Sequence, residues 1–269
     1  MKILTKGTYY GNKKFETLSS GIVLSEYDYI IPRTEWHLHE NPYFMYVLRG
    51  NVLDINKQNT TLCPPGSLLL HNWDEAHCNT KESHHARGFH IEFERGWFEN
   101  KKLDVEMWQG SRPLENPKLH HIMAKLYFEF KCQDMYSEVT IALLLLQLCE
   151  HTQKDQIEDS VSPPQWLSHL KQLLHDCSEP LSLQYLSKTL GVHPAHLSRA
   201  IPRYLHTTLG DYMRQQKIKM ALGYLCNATL TLTEISYLCG FSDQSHFTRT
   251  FKMYFNKTPK EFRRNFAQC

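Results

Sequence analysis

No stretch of this chain is apolar enough to cross a bilayer as a helix. The longest apolar run, Ile141 to Cys149, falls far short of the ~20 residues a spanning helix needs. The N-terminus MKILTKGTYYGNKKF has no apolar core of signal-peptide length, so a cytoplasmic protein with no membrane partner is expected. Paired cysteines are missing as well. Eight cysteines are scattered singly with no Cys-x-x-Cys pair, which argues against a disulfide framework or a zinc ribbon and for reduced, mostly buried thiols. Strong net charge is absent too, at +2 overall, but the sign is unevenly spread. From residue 165 onward thirteen Lys or Arg face six Asp or Glu, a net +7, which leaves −5 on the rest. A polyanion would sit on the basic end.

What is present starts with 269 residues at 41% hydrophobic content, enough for two modest domains or one large one. The most organised stretch runs from Thr229 to Arg264. Thr231-Leu-Thr-Glu234 reads as a capping box that starts a helix. Ile235, Leu238 and Cys239 share one face, and Gly240 allows a tight turn. Ser242 is placed to cap a second helix, whose Phe247, Phe251, Tyr254 and Phe255 form an apolar stripe. Thr258-Pro259-Lys260-Glu261 is a second capping box with proline at the first helical position. A helix-turn-helix with a short closing helix follows from these signals.

Upstream, Ser182 caps a helix carrying Leu183, Leu186 and Leu190; Gly191 turns it, and Pro194 opens the next helix. This is a second such unit, with Trp166, Leu170, Leu173 and Leu174 as a preceding helix. A long helix from Leu209 to Leu225 would join the two units. His193 stands where serine would cap better. Pro202 lies inside the expected recognition helix, where proline loses a backbone bond and costs roughly 3 kcal/mol unless the helix bends or ends.

GFSDQSHFTRTFK followed by NKTPKEFRR resembles the C-terminal signature of the AraC-type (AraC/XylS) transcription regulators. That resemblance implies double-stranded DNA as partner, with the second helix of each unit in the major groove and the two grooves about 34 Å apart. The outward residues are then Ala195, His196, Ser198 and Arg199 in the first unit, and Gln244, Ser245, His246, Thr248, Arg249 and Lys252 in the second. Arg249 and Arg199 suit guanine and Gln244 suits adenine, while Ser245, His246 and Thr248 suit phosphate or methyl groups and Lys252 a phosphate.

Residues 21 to 93 read as short strands broken by Gly50-Asn51, Gln58-Asn59 and Pro64-Pro65-Gly66, which favours an antiparallel barrel or sandwich. His37-Leu-His39, Tyr-Val-Leu-Arg-Gly50, Pro65-Gly66 and His77 resemble the two cupin motifs. Cupin enzymes hold a metal with three histidines and a carboxylate. Here the acid expected three or four residues past His39 is missing: Tyr43 and Phe44 stand there and Glu40 comes too early. No metal, cofactor or catalytic residue is therefore expected. Trp36, His37, His39, Tyr46 and His77 are expected to line a small-molecule effector pocket instead, with Trp73 nearby.

Leu119, Ile122, Met123, Leu126, Tyr127 and Phe130, then Met135, Val139, Ala142, Leu143 and Leu146, recur at helical spacing and suggest an antiparallel helix pair. Such a pair suits covering the barrel, homodimerisation or both. TQKDQIEDSVSPP, residues 152 to 164, is polar and should stay extended.

The expected fold is multidomain: an all-β cupin-like barrel with a helical pair, then an all-α domain with two helix-turn-helix units. Its divisions are an effector domain over 1–110, a dimerising helical pair over 111–152, a linker over 153–164 and a seven-helix DNA-binding domain over 165–269. The expected function is an effector-controlled transcription regulator that would contact RNA polymerase if it activates. A metal-dependent cupin enzyme fused to a DNA-binding domain, and a regulator answering to a protein partner, are the alternatives.

Overall fold

The computed structural model describes residues 1–19, 21–73, 75–101, 103, 108, 110–159, 164–176, 181–205, 207–225 and 229–267. Eleven strands come first among them: β1 (Lys2–Leu4), β2 (Asn12–Ser19), β3 (Ile22–Tyr29), β4 (His37–His39), β5 (Tyr43–Arg49), β6 (Val52–Asn56), β7 (Thr60–Cys63), β8 (Leu68–His71), β9 (His77–Lys81), β10 (Ala86–Phe93) and β11 (Arg112–Pro113), with α1 (Arg95–Lys101) before the last. They form two sheets, ordered β1-β4-β9-β6-β7 and β11-β8-β5-β10-β3-β2, antiparallel except for the β1–β4 pair. The cupin-like barrel is thus present. Its first two strands lie upstream of the stretch that reads as strands in the sequence.

The central strands of the six-stranded sheet are buried on both faces. In β5, Tyr43, Met45 and Val47 pack toward the barrel interior, whereas Phe44, Tyr46 and Leu48 join the core under the helices. Alternation along β10 does the same, sending Phe89, Ile91 and Phe93 to the helices. Strands between two apolar layers become continuous apolar runs rather than alternating ones. That is why YFMYVLR looks so uniform, whereas GFHIEF still alternates, its His90 and Glu92 being the buried polar residues between Phe89, Ile91 and Phe93.

Helices α2 (Pro117–Cys132) and α3 (Ser137–Asp159) cover this sheet. Asn116 caps α2, accepting from Lys118 N at 3.0 Å, and Pro117 opens it. Leu119, Ile122, Met123, Leu126, Tyr127 and Phe130 are all buried against the sheet, as their spacing suggests. Lys131 then reaches the buried Glu26 at 2.9 Å, a carboxylate shared with Arg87 at 3.2 Å. In α3 the stripe picked out by spacing is not the one that covers the sheet. Ile141, Leu144, Leu145, Leu148 and Cys149 are the buried residues, while Val139, Leu143 and Leu146 are exposed. Helix α3 also runs to Asp159, eight residues into the stretch expected to be extended. Polar residues such as Gln, Lys and Glu are good helix formers once a nucleus exists upstream. Residues 160–163 of that linker lie outside the described residues.

Seven helices follow: α4 (Gln165–Asp176), α5 (Leu183–Leu190), α6 (Pro194–Leu205), α7 (Leu209–Leu225), α8 (Leu232–Leu238), α9 (Gln244–Phe255) and α10 (Pro259–Ala267). They build two cores with α7 running through both. Leu167, Leu170, Leu174, Leu186, Leu197, Ile201, Leu205 and Tyr212 form the first. The second gathers Ile218, Ala221, Leu222, Leu225, Ile235, Phe241, Phe247, Phe251, Phe255 and Phe262, and it includes Ala124 and Phe128 of α2. Helix α2 is therefore buried on two sides, one in the barrel core and one in the core of the second helix-turn-helix.

Candidate nucleic-acid interface and barrel cleft

The barrel opens into a narrow cleft lined by Tyr9, Tyr10, Tyr29, Ile31, Thr34, His37, His39, Tyr43, Met45, Val52, Asn79, Lys81 and His90. Strand pairing sets the histidines side by side: His37 is the register partner of His77, and Tyr43 of His71. The rings of His37 and His77 are 4.3 Å apart, those of His71 and His77 4.4 Å, and Tyr43 stacks on His71 at 4.7 Å. Gly88 makes room at the wall, since a Cβ there would lie 1.9 Å from the Tyr29 hydroxyl.

Burial keeps these imidazoles neutral. It pushes His71 and His90 down to about 3, and His39 and His77 well below the usual value with help from neighbouring rings. Two carboxylates share the interior. Glu92 accepts from Gly7 N at 2.8 Å, Asn41 Nδ2 at 2.9 Å and the Tyr9 hydroxyl at 3.1 Å. Asp54, from β6, accepts from Asn79 Nδ2 at 2.7 Å and lies 3.7 Å from His71 Nε2. Desolvation raises the pKa of both acids. Such a cleft offers aromatic faces and neutral donors and acceptors, the mixture that binds small molecules.

In the second helix-turn-helix, Thr231 accepts from Glu234 N at 3.1 Å and Glu234 accepts from Thr231 N at 2.7 Å, completing the expected capping box. Gly240, at φ 71°, makes the turn. The cap of α9 is Asp243 rather than Ser242. Its carboxylate accepts from His246 N at 2.7 Å, while Ser242 donates to Asp243 at 3.2 Å. A carboxylate at a helix N-terminus is favoured by the dipole as well as by the N–H groups, and those hydrogen bonds lower the pKa of Asp243. Gln244, Ser245, His246, Arg249 and Lys252 are exposed along one side of α9, and Thr248 is half-buried beside them. Gln244 Oε1 accepts from Thr233 at 2.6 Å, which ties the two helices of the unit together. Thr258 and Glu261 complete the last capping box at 3.2 and 2.7 Å.

The first unit differs in its fastening. Ser182 caps α5, accepting from Tyr185 N at 3.1 Å, and Gly191 turns at φ 65°. His193 serves as the cap where serine would be expected, its Nδ1 accepting from Ala195 N at 3.2 Å. Helix α6 passes through Pro202 and continues to Leu205, with Ile201 and Leu205 buried and Pro202 exposed. Core packing on either side of the proline outweighs the one missing backbone bond. Ala195, His196, Ser198 and Arg199 all precede it and all are exposed. The Arg199 Nε donates to Ala195 O at 3.1 Å, folding the guanidinium back along its own helix.

A helix-turn-helix domain family model matches residues 186–265. The probable transcription factor PqrA of Proteus vulgaris is 33% identical over 88 residues, 33% of this chain and 72% of that protein. The chain belongs to the AraC-type family of transcription regulators. The HTH-type transcriptional regulator GlxA of Rhizobium meliloti (strain 1021) is 32% identical over 101 residues, which cover 38% of this chain and only 31% of GlxA. A solved AraC-type DNA-binding domain from Chromobacterium violaceum is 30% identical over 37% of this chain and 88% of its own, with a TM-score of 0.34.

This AraC-type chain brings together some of the residues singled out in its sequence and separates others. His37, His39 and His77 meet inside the barrel. Tyr46 does not join them: it faces the helices beside Leu48, Ala124 and Leu222, because one step along β5 reverses the face. Trp36 is 41% exposed and outside the cleft lining, and Trp73 lies under the Arg95 guanidinium at 4.8 Å. Tyr9, Tyr29, Tyr43, Asp54, His71 and His90 take part without having been singled out. Only pairing across strands reveals them, apart from Tyr43, which carried a signal as the residue standing where an acid was sought.

Proposed function

We propose that this transcription regulator binds double-stranded DNA through α6 and α9 and is controlled by a small molecule held in the barrel cleft. The observation that carries the reading is the double burial of α2. Its Leu126 and Tyr127 face belongs to the barrel core and its Ala124 and Phe128 face to the core of the second helix-turn-helix. A ligand that repacks the barrel interior has a path of contiguous packed side chains to the DNA-binding unit. Exposed Gln244, Arg249 and Lys252 in α9, with Arg199 in α6, supply the base and phosphate contacts. The exposed α3 stripe of Val139, Leu143 and Leu146 suits a homodimer, which would double the DNA contact. A cytoplasmic location and RNA polymerase contact on activation complete the proposal. The division into a barrel with its helical pair, a linker ending near residue 164 and a seven-helix domain belongs to it also. The barrel is assigned no catalytic step.

A thermal-shift screen of sugars, aromatic acids and fatty acids tests effector control, since a ligand bound by the native state raises its apparent stability. The hit must also change operator affinity measured by fluorescence anisotropy. Stabilisation without any change in DNA binding would defeat the reading.

A further inference from the structure

We propose that Asp54, His71 and His77 bind one divalent transition-metal ion in the barrel interior. These residues come from β6, β8 and β9, so the set is assembled by both sheets. Their ligand atoms all lie within 4.8 Å of one another, and the side chains are buried, with His71 at 0% exposure. Neither ring nitrogen of His71 has a hydrogen-bond partner. A fully buried imidazole with both nitrogens unsatisfied is costly unless it acquires a partner. Asp54 brings the complementary need. It is a buried carboxylate whose hydrogen-bond donor is the neutral Asn79 amide, with His71 Nε2 3.7 Å away. A dication satisfies both groups at once.

The acid missing from its expected place after His39 is thus supplied from another strand. His37, His39 and His77 form an overlapping cluster, but that set contains no anion. Two imidazoles with one carboxylate and open positions suit the ions from iron to zinc better than magnesium or calcium. Orientation is in place as well: His77 Nδ1 lies 3.5 Å from the Glu75 carbonyl, which leaves Nε2 for the ion. That Nε2 is 3.1 Å from the Tyr43 hydroxyl, which the ion would displace. The site stands apart from effector control, because an ion can be held here whether or not it governs DNA binding.

The test uses the full chain, stripped with a chelator and titrated with Co(II), whose visible absorption reports nitrogen and oxygen ligation. One equivalent should saturate the signal. Asp54→Asn and His71→Gln should each weaken binding by more than about tenfold, the loss that even outer-shell changes around a metal produce. His39→Gln and the exposed pair His84→Gln with His85→Gln should leave it nearly unchanged. X-ray absorption of the unaltered cobalt-loaded chain, which needs no variant to fold, should read two imidazoles. Absence of a Co(II) signal on folded protein overturns the site. So does a three-imidazole shell, or a signal lost with His39 or with the exposed pair.

Discussion

The ring of Phe128 on α2 stacks on that of Phe262 on α10, with centroids 5.7 Å apart and planes 19° from parallel. Phe262 also meets Phe251 and Phe255, each at 5.3 Å, so Phe128 completes an aromatic cluster that otherwise belongs wholly to the DNA-binding unit. Phe128→Ala should lower unfolding free energy by about 3 kcal/mol, the low end for a buried phenylalanine, as read by urea denaturation. An unchanged midpoint would mean that the two cores are not joined in solution.

Acid should loosen the same contact through His121. This ring lies 4.9 Å from Phe255 and 5.6 Å from Tyr254, and burial, with Lys125 adding to it, pushes its pKa from 6.5 down to about 4. The unfolded chain therefore takes up the proton first. Stability from the neutral ring is complete above pH 6.5 and is lost as pH falls toward about 4, at up to ~1.4 kcal/mol per pH unit. Other buried histidines act in the same direction, so the useful quantity is a difference. His121→Gln should lose less stability than the parent between about pH 7 and about pH 5; equal losses would remove His121 from the account.

On the DNA face, Arg249→Ala is expected to relax base preference at one or two positions, costing roughly 1–3 kcal/mol at the cognate pair. Lys252→Ala should weaken all sites alike and reduce the salt slope by about one unit. Binding to a substituted operator set at two salt concentrations separates them. A uniform loss for Arg249→Ala would reassign it to the phosphates.

The two apolar helices should respond differently to charge. Leu143, 57% exposed, can take Leu143→Glu without unfolding, and the variant is expected to sediment as a monomer. Leu126, at 0% exposure, should not tolerate a glutamate at all, because an unpaired charge would be buried under the sheet. A folded Leu143→Glu protein that remained a dimer would place the interface elsewhere.

The C-terminal half was legible because its signals are local. Thr231 with Glu234, Thr258 with Glu261, and the Phe247-Phe251-Phe255 spacing each lie within a few residues, and each appears in the structure as read. In α3 the difficulty was phase. ALLLLQL is apolar on nearly every side, so spacing alone cannot choose between Leu143 and Leu144 as the inward residue. Strand β5 hides its phase in the same way, being buried on both faces, so the sequence cannot tell that Tyr43 faces the barrel interior and Tyr46 the helices. Asp54, His71 and His77 meet only because β6 pairs with β9 and the other sheet brings β8 opposite. Nothing short of the topology predicts that encounter.

Because α2 is claimed by two cores, the chain is less modular than its order of elements suggests. A chimaera that joined this seven-helix domain to a relative's barrel at residue 164 would keep both helix-turn-helix units whole. It would nevertheless set Phe262 and Leu222 against a foreign helix chosen for a different neighbour. Exchange should succeed only when residues 117–132 travel with the DNA-binding half, and then the new barrel must accept Leu126, Tyr127 and Phe130 as its lid. The two halves of this regulator are thereby bound to change together.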